Sequence, residues 1–540
     1  MHLIGAAVPL AVDRGETLGF LAATGASSEC HRSSLIVGVS QFYRNTTRVA
    51  HVTRNNFQQL GALMRELNEY EREAIQRLFG NILGYQRRNQ LRTEYAEYEH
   101  GIERLGFSIP PQMQDFTMVL GWIRKACEVE GSRLIREGFT MPERSTLLDD
   151  LDDIFGEARM RQVERMAIDA AIRHGVSFVF TSRGDTSRGE PEILSVPRSA
   201  LTASATVDPR SGVVLDALEL LGGSRVNLYL PGRVLLCVRR PGSVAWLVED
   251  EFATGTSRVL CTPFVHSATL EKPLGESRIT RPMMKITDGA VRTLLRQEVS
   301  AEFYSAPRLM ALGGGAEMFE DGDGRVRTGW ESIIGAVWGI PDEEDEMTGE
   351  RHRVQIEQIS QMSMQPHSDQ YRLLAGVFSG ESSIPVSYLG VVQDSNPTSA
   401  DAIYASEADL IRLVKGQHLS LGMGADGLAR DALTVLYGDL SDAARRDLRG
   451  LTPRWQDPRT RSVIEQSQFV AQQVGAGNFQ PGTEATLNQL PLSPEDVQMI
   501  LSENRRAQGN SLLQGILNRA GEQEAAAGAV TVPEVEPEAA

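Results

Sequence analysis

The sequence predicts an α+β fold in which long helices accompany one β-rich segment. Before about residue 175 and after about residue 281, apolar residues recur at spacings of three and four, which is typical of amphipathic helices. Between them, residues 176–265 form short β-branched runs separated by turn sequences such as Pro231-Gly232 and Pro241-Gly242. Strands grouped apart from helices indicate α+β architecture. The 540 residues suggest about three or four compact units or one elongated protein.

The periodic segments predict six helices and a seventh helix start. His174 closes the third helix, where we interpret it as a cap that compensates the helix dipole, and Gly175 follows as the natural terminating residue. Ser493 is a good N-cap for a seventh helix, in which Pro494 would be the first residue. Ser399 can cap the sixth helix. The predicted helices cover 66–98, 116–135, 159–174, 281–303, 368–382 and 400 to about 416 or beyond.

The β-rich segment predicts seven strands. Cys237 and Cys261 lie within these apolar runs, and the four cysteines show no C-x-x-C spacing, so we expect buried free thiols. The predicted strands cover 176–180, 203–207, 212–221, 226–230, 234–238, 245–248 and 259–264.

Composition limits the function. With 41% hydrophobic and 23% charged residues the chain is of ordinary soluble type, and no run of about 18 apolar residues predicts a membrane span. The apolar stretch 3–12 has no basic residues before it, so we do not expect a signal peptide. The net charge of −17 argues against tight binding to nucleic acid, which needs a basic face.

No motif specifies a reaction. Gly422–Gly427 matches G-x-G-x-x-G but follows a helical pattern, without the strand that a dinucleotide site needs. Gly313–Gly315 lacks the Lys-Ser/Thr of a phosphate loop, and Asp321–Arg325 begins like a calcium loop but continues without the required acids. The acidic run 342–346 is best interpreted as a solvated loop tip, with a divalent ion as the alternative. We therefore expect no catalytic residues, no cofactor and no metal.

Several segments nevertheless resemble, in order along residues 60–505, the portal proteins of tailed bacteriophages, and most closely the branch common in actinobacteriophages. The signature is strongest in Ile384–Gly390 followed by Asn396–Ile403 and Glu407. The other similar segments are Leu120–Ile123 with Glu137–Phe139, Gly275–Ile279, Ala301–Arg308 with Leu312-Gly313, Trp330–Glu343 and Arg454–Thr460.

The resemblance implies an elongated portal fold with a mixed α/β wing, two long stem helices, a small clip and a helical crown. In this sequence the implied regions are an N-terminal extension of undetermined structure (1–59), the wing (60–278), stem helix one (279–305), the clip (306–365), stem helix two (366–389), a tunnel loop (390–398), a long wing helix (399–440), the crown (441–519) and a disordered tail (520–540).

The resemblance also implies a ring of about twelve subunits at one capsid vertex. Double-stranded DNA would pass through the channel during packaging and ejection without tight binding, and the clip would dock the terminase large subunit and then the head–tail adaptor proteins. Major capsid and scaffold proteins are further implied partners, no membrane is involved, and the subunit would reside in the virion after assembly in the host cytoplasm.

The implied site residues fall into three groups. For the tunnel loop they are Asp394, Ser395, Asn396, Pro397 and Thr398. For the stem they are Lys285, Arg292, Arg296, Gln370 and Arg372. For the clip they are Trp330, Trp338, Asp342 and Glu343.

Two alternatives remain at this stage. One is another phage structural protein, a capsid or scaffold protein; the paired long helices around an acidic clip argue against it. The other is an enzyme of the packaging machinery with an unrecognised site, although a terminase would need the phosphate loop and the carboxylate cluster that the sequence lacks.

Overall fold

The structure is a computed structural model of the chain. It describes residues 64–101, 118–142, 145–222, 224–240, 243, 245–304, 308–312, 343–344, 351–352, 355–359, 363–391, 400–459, 463–490 and 492–528. The chain divides into two compact units, Met1–Arg65 and Glu66–Ala540, and the description below concerns the second. The N-terminal extension predicted at 1–59 lies outside the described residues.

Helices account for much of the described part of the larger unit. They are α1 (Glu69–Ala96), α2 (Trp122–Gly131), α3 (Thr146–Gly156), α4 (Ala158–His174), α5 (Arg281–Tyr304), α6 (Gln365–Ser382), α7 (Ala400–Tyr437), α8 (Asp442–Asp447), α9 (Val463–Gly475), α10 (Glu484–Leu487) and α11 (Pro494–Gly528).

The strands lie mainly between α4 and α5. They are β1 (Arg65–Glu66), β2 (Arg136–Thr140), β3 (Val176–Arg183), β4 (Ile193–Ser199), β5 (Ala203–Val207), β6 (Val214–Leu220), β7 (Arg225–Leu230), β8 (Arg233–Arg239), β9 (Trp246–Ala253), β10 (Cys261–Val265), β11 (Arg308–Leu312), β12 (Glu343–Glu344), β13 (Arg351–His352), β14 (Gln355–Ile359) and β15 (Thr452–Trp455).

Two sheets carry most of the strand pairing. Strands β5 to β9 form an antiparallel meander in chain order, and β3 lies between β10 and β4 in a second antiparallel sheet. Elsewhere β2 pairs with β15, although Thr140 and Thr452 are 312 residues apart in the chain. The meander follows from the turn sequences that separate its strands. The β2–β15 pair depends on the tertiary fold.

Three apolar clusters form the core of the described residues. The largest joins α2, α4, α5, α6 and α7 through side chains such as Ile123, Ile168 and Phe378. In the second, α1 covers the meander, with Ile75 and Leu78 packed with Leu228. The third lies between the two sheets; its buried members include Phe178, Phe180, Ala205 and Cys261. The largest cluster also contains Val179 of β3 and Phe264 of β10, so the helices pack directly against the second sheet.

The sequence predictions hold in outline. The α+β class is confirmed, helices α1, α4, α5 and α6 match their predicted segments closely, and Cys237 and Cys261 are buried free thiols. Ser493 caps α11, since its Oγ accepts from the Asp496 amide at 3.1 Å. Ser399 lies outside the described residues, but α7 extends well beyond residue 416, to Tyr437.

The structure differs from the sequence predictions in three features. The helix expected over 116–135 covers only Trp122–Gly131 within the described residues, because the chain turns at Ser132 and pairs as β2 from Arg136. Strand β4 was not predicted; Pro197 weakens its strand signal, but an edge strand tolerates proline. The tail expected to be disordered from 520 is helical to Gly528, since its Ala and Glu residues have high helix propensity.

The interpretation of His174 as a charged cap is wrong. Burial, together with the nearby cations Arg92 and Arg173, lowers the pKa of His174 from 6.5 to about 4, so the imidazole is neutral at pH 7. Its Nε2 lies 3.0 Å from the Thr93 hydroxyl. Arg92 supplies the positive charge instead, because its Nη1 donates to the His174 carbonyl oxygen at 3.2 Å.

The Gly422–Gly427 motif has a packing role in the middle of α7. A Cβ built on Gly424 would lie 3.0 Å from the Phe264 ring, and one on Gly427 would lie 2.9 Å from Thr262. Both neighbours belong to β10, so the missing side chains allow α7 to approach this strand closely. The motif is therefore a helix–sheet contact inside a continuous helix.

We predict that Gly424→Ala lowers the free energy of unfolding by about 1–3 kcal/mol, because the added methyl group overpacks against Phe264. Gly416→Ala is the matched control on the same helix, since its Cβ would meet nothing within 4 Å. It should be neutral or stabilise by up to about 1 kcal/mol. Urea unfolding of both variants measures the difference, and equal midpoints would contradict the close approach.

Candidate functional site

The segment between α6 and the region expected to be a tunnel loop has a defined local structure. Helix α6 ends at Ser382, Ser383 adopts the left-handed conformation with φ +54°, and Pro385 follows. A single 3₁₀ turn, Val386–Leu389, then leads to Gly390 at φ +75°. Left-handed residues and proline stop a helix, so the chain is forced to change direction here. We call Ile384–Val391 the loop base.

Apolar contacts fix the loop base against the helices. Ile384, Leu389 and Val391 are buried in the largest core cluster. The Trp122 indole Nε1 donates to the Leu389 carbonyl oxygen at 3.2 Å, and its ring centroid lies 5.3 Å from those of Tyr371 and Phe378. The first residue of α2 therefore contacts both α6 and the loop base.

A charged cluster holds the loop base to α7. The Arg133 guanidinium binds Glu407 in a bidentate manner, at 3.0 Å to Oε1 and 3.2 Å to Oε2. The same guanidinium donates to the Tyr388 hydroxyl at 3.0 Å and to the Pro458 carbonyl oxygen at 2.9 Å. The Tyr388 hydroxyl in turn donates to Glu407. We call Arg133, Tyr388 and Glu407 the loop clamp.

The clamp is largely shielded from water, which strengthens its charged hydrogen bonds. Glu407 is buried and Arg133 is mostly covered. Burial, followed by the hydrogen bond to Glu407, raises the pKa of Tyr388, so its hydroxyl remains a donor at neutral pH. Bidentate arginine–carboxylate pairs are both strong and geometrically specific. The clamp therefore links the segment before the expected loop, at Tyr388, to the segment after it, at Glu407.

Segments that were separate motifs in the sequence meet at this place. Trp122, the loop base and Glu407 each belong to a segment of the predicted signature, and Pro458 belongs to Arg454–Thr460. Sequence reasoning missed Arg133, which joins them. No local signal marks this arginine, because its acceptors are 255 to 325 residues away in the chain.

The expected stem helices α5 and α6 pack antiparallel. The Thr280 hydroxyl at the start of α5 contacts Glu381 at the end of α6, and Ser300 contacts His367 at the other end. Of the implied stem residues, Lys285 is exposed with Nζ 2.9 Å from Asp288, whereas Arg292 and Arg296 are half-buried. Gln370 and Arg372 are exposed on α6. Lys285, Arg292 and Arg296 therefore lie on α5, whereas Gln370 and Arg372 lie on α6.

Of the remaining implied residues, the structure describes Glu343. Asp394, Ser395, Asn396, Pro397, Thr398, Trp330, Trp338 and Asp342 lie outside the described residues. Glu343 belongs to β12, where it pairs with His352 of β13. Within the part of the chain that the structure describes, no three His, Cys, Asp or Glu residues cluster as metal ligands. None of the described helices is both long and apolar enough to cross a membrane.

We predict that Arg133→Met lowers the free energy of unfolding by about 3–5 kcal/mol, because Glu407 is left buried without a counter-charge. Arg412→Met is the matched control, since Arg412 is exposed and pairs with Asp409, which is also exposed on α7. It should leave stability unchanged within error. Chemical unfolding of the two variants measures this, and a small effect of Arg133→Met would mean that the clamp is not tightly formed.

Comparison with known proteins identifies relatives. No protein-family model matches the chain. The portal protein of Mycobacterium phage L5 is 23% identical over 397 residues, which cover 71% of this chain and 78% of the relative. The portal protein of Mycobacterium phage D29 is 23% identical over 403 residues, with the same coverage. These similarities confirm the resemblance that the sequence motifs predicted: the chain is related to the portal proteins of bacteriophages.

Proposed function

We propose that this chain is a phage portal subunit, which forms a ring of about twelve copies at one capsid vertex. Double-stranded DNA passes through the ring during packaging and ejection. The observation that carries the proposal is the similarity to two phage portal proteins over 71% of the chain. The loop clamp supports it, because the residues of the quoted signature contact one another in the fold.

Exposed apolar side chains support assembly into a ring. On α6, Leu373 is 66% exposed and Val377 is 49% exposed, and on α7 Leu419 is 78% exposed and Met423 is 69% exposed. A closed ring requires two unlike faces of each subunit to be buried by neighbours. Two exposed apolar faces on different helices supply candidates for such a heterologous contact.

The charge distribution supports passage of DNA without tight capture. With −17 per chain, a ring of about twelve carries roughly −200 charges, which repels phosphates at long range. Arg281, Lys285, Arg292 and Arg296 lie on one face of α5, at helical spacing. Lys285 is paired with Asp288, so part of this local positive charge is neutralised within the subunit.

The proposed regions follow the implied order along the chain. Helices α5 and α6 serve as stem helices, residues 390–398 as the tunnel loop, and residues 306–365 as the clip that docks the terminase large subunit and then the head–tail adaptors. Residues 441–519 form the crown, and capsid and scaffold proteins surround the wing. In this role the chain is a structural component of the virion, assembled in the host cytoplasm, and not an enzyme.

We predict that the purified protein is a ring. Light scattering should give a mass near twelve times 59.3 kDa, roughly 700 kDa, and negative-stain images should show a central channel. A mass of 59.3 kDa at the concentrations used for assembly, with no rings in the images, would contradict the proposal.

A second prediction concerns the loop at 390–398, which contains Asp394 and no basic residue. Asp394→Arg should add one phosphate contact per subunit and slow packaging most strongly at low salt, because each cation contact is salt-sensitive. DNA packaged per procapsid across a salt series measures this. Asp153→Arg, on the exposed side of α3, is the matched control. Equal packaging by the two variants at low salt would mean that this loop does not face DNA.

A further inference from the structure

We propose that Glu130 is a positioning residue for the loop base: it fixes α2 to the end of stem helix α6, and α2 in turn holds the loop base. Glu130 lies on α2 and is fully buried. It acts through this helix, whose first residue, Trp122, donates to the Leu389 carbonyl oxygen. The inference concerns the joint between wing and stem, and only its packaging test rests on the proposed function.

Arg278 and His266 both contact the Glu130 carboxylate. The His266 Nε2 lies 2.9 Å from Oε1, and the Arg278 Nε lies 2.9 Å from Oε2, in an ion-pair contact whose angle does not suit a hydrogen bond. Arg278 also donates through Nη2 to the carbonyl oxygen of Ser382, the last residue of α6. The guanidinium therefore joins the carboxylate on α2 to the C-terminal end of the stem helix, where a cation is favoured.

The Glu130 carboxylate is also linked to the backbone that follows β10. The His266 Nδ1 lies 2.6 Å from the Glu276 carbonyl oxygen, so both ring nitrogens of His266 lie beside acceptors. Burial by itself would raise the pKa of Glu130, but the hydrogen bond from His266 and the charge interactions with His266 and Arg278 outweigh it and lower the pKa. One buried carboxylate thus contacts both Arg278 and His266.

Helix α2 carries this constraint to the loop base at both of its ends. Arg133 of the loop clamp follows Glu130 by three residues, and Trp122 lies at the start of the same ten-residue helix. A short helix moves as a unit, since its backbone hydrogen bonds form one ladder. If the contact between Glu130 and Arg278 is lost, α2 is free to shift relative to α6, and Trp122 and Arg133 shift with it.

The test is hydrogen exchange of the assembled full-length protein carrying Glu130→Gln. We expect the amides of 386–391, which include the Tyr388 amide bonded to the Pro385 carbonyl oxygen at 3.0 Å, to exchange at least about tenfold faster. Glu164→Gln is the matched control. Glu164 is also a buried carboxylate with a bidentate arginine, Arg136, but it belongs to α4 and β2 contacts in the wing.

The unfolding midpoint of each variant is measured, and exchange at 386–391 is compared for an equal decrease in that midpoint. This comparison separates a local effect at the loop base from a general loss of stability. The control should leave exchange at 386–391 within about twofold of the wild type. Equal acceleration in both variants, or none in Glu130→Gln, would overturn the proposal.

Two conservative variants keep the test decisive if Glu130→Gln does not assemble. Glu130→Asp retains the charge and should restore most of the protection at 386–391. Arg278→Lys retains a cation but loses the fork that reaches both Glu130 and Ser382, so it should accelerate exchange there. Wild-type protection in Arg278→Lys would also contradict the proposal.

Packaging assays with the same variants separate this inference from the proposed function. Faster exchange at 386–391 together with reduced DNA per procapsid supports both. Faster exchange with normal packaging still supports the role of Glu130 as a positioning residue, and it counts against the role of the loop in the channel.

Discussion

The ion pair between Arg133 and Glu407 is the contact on which the arrangement of the described helices depends. It joins the turn after α2 to the long helix α7, and the same guanidinium reaches the loop base at Tyr388 and the segment after β15 at Pro458. An arginine can do this because its five donors lie in one rigid plane. Four distant segments are therefore positioned by one side chain.

Buried charges recur where helices pack against other elements of the fold. Glu130 binds Arg278 and His266, and Asp431 on α7 binds Arg258 at 2.5 Å. Burial raises the pKa of Asp431, while Arg258 and a hydrogen bond from Thr262 oppose this rise. Such pairs add little stability compared with apolar packing. However, an arrangement that separates the partners leaves a buried charge unpaired and strongly lowers the free energy of unfolding. We infer that these pairs select one orientation of helices whose apolar surfaces would tolerate several.

Many polar side chains of the described residues join separate elements of the fold. The exposed apolar side chains include Leu373 and Val377 on α6 and Leu419 and Met423 on α7, where neighbouring subunits are proposed to pack. This agrees with relatives that share only 23% identity over most of the chain. Packing tolerates extensive substitution when volume and pattern are kept.

The sequence by itself determined the α+β class, the long helices and the relationship to phage portal proteins. Helices α1, α4 and α5 were predictable because helical periodicity depends on residues three and four apart, and the meander because its turns are local. The tertiary structure alone decided the pairing of β2 with β15, the neutral state of His174 and the partners of Arg133. Each of these depends on groups brought together from distant parts of the chain, where local pattern carries no information and burial sets both the contacts and the charge.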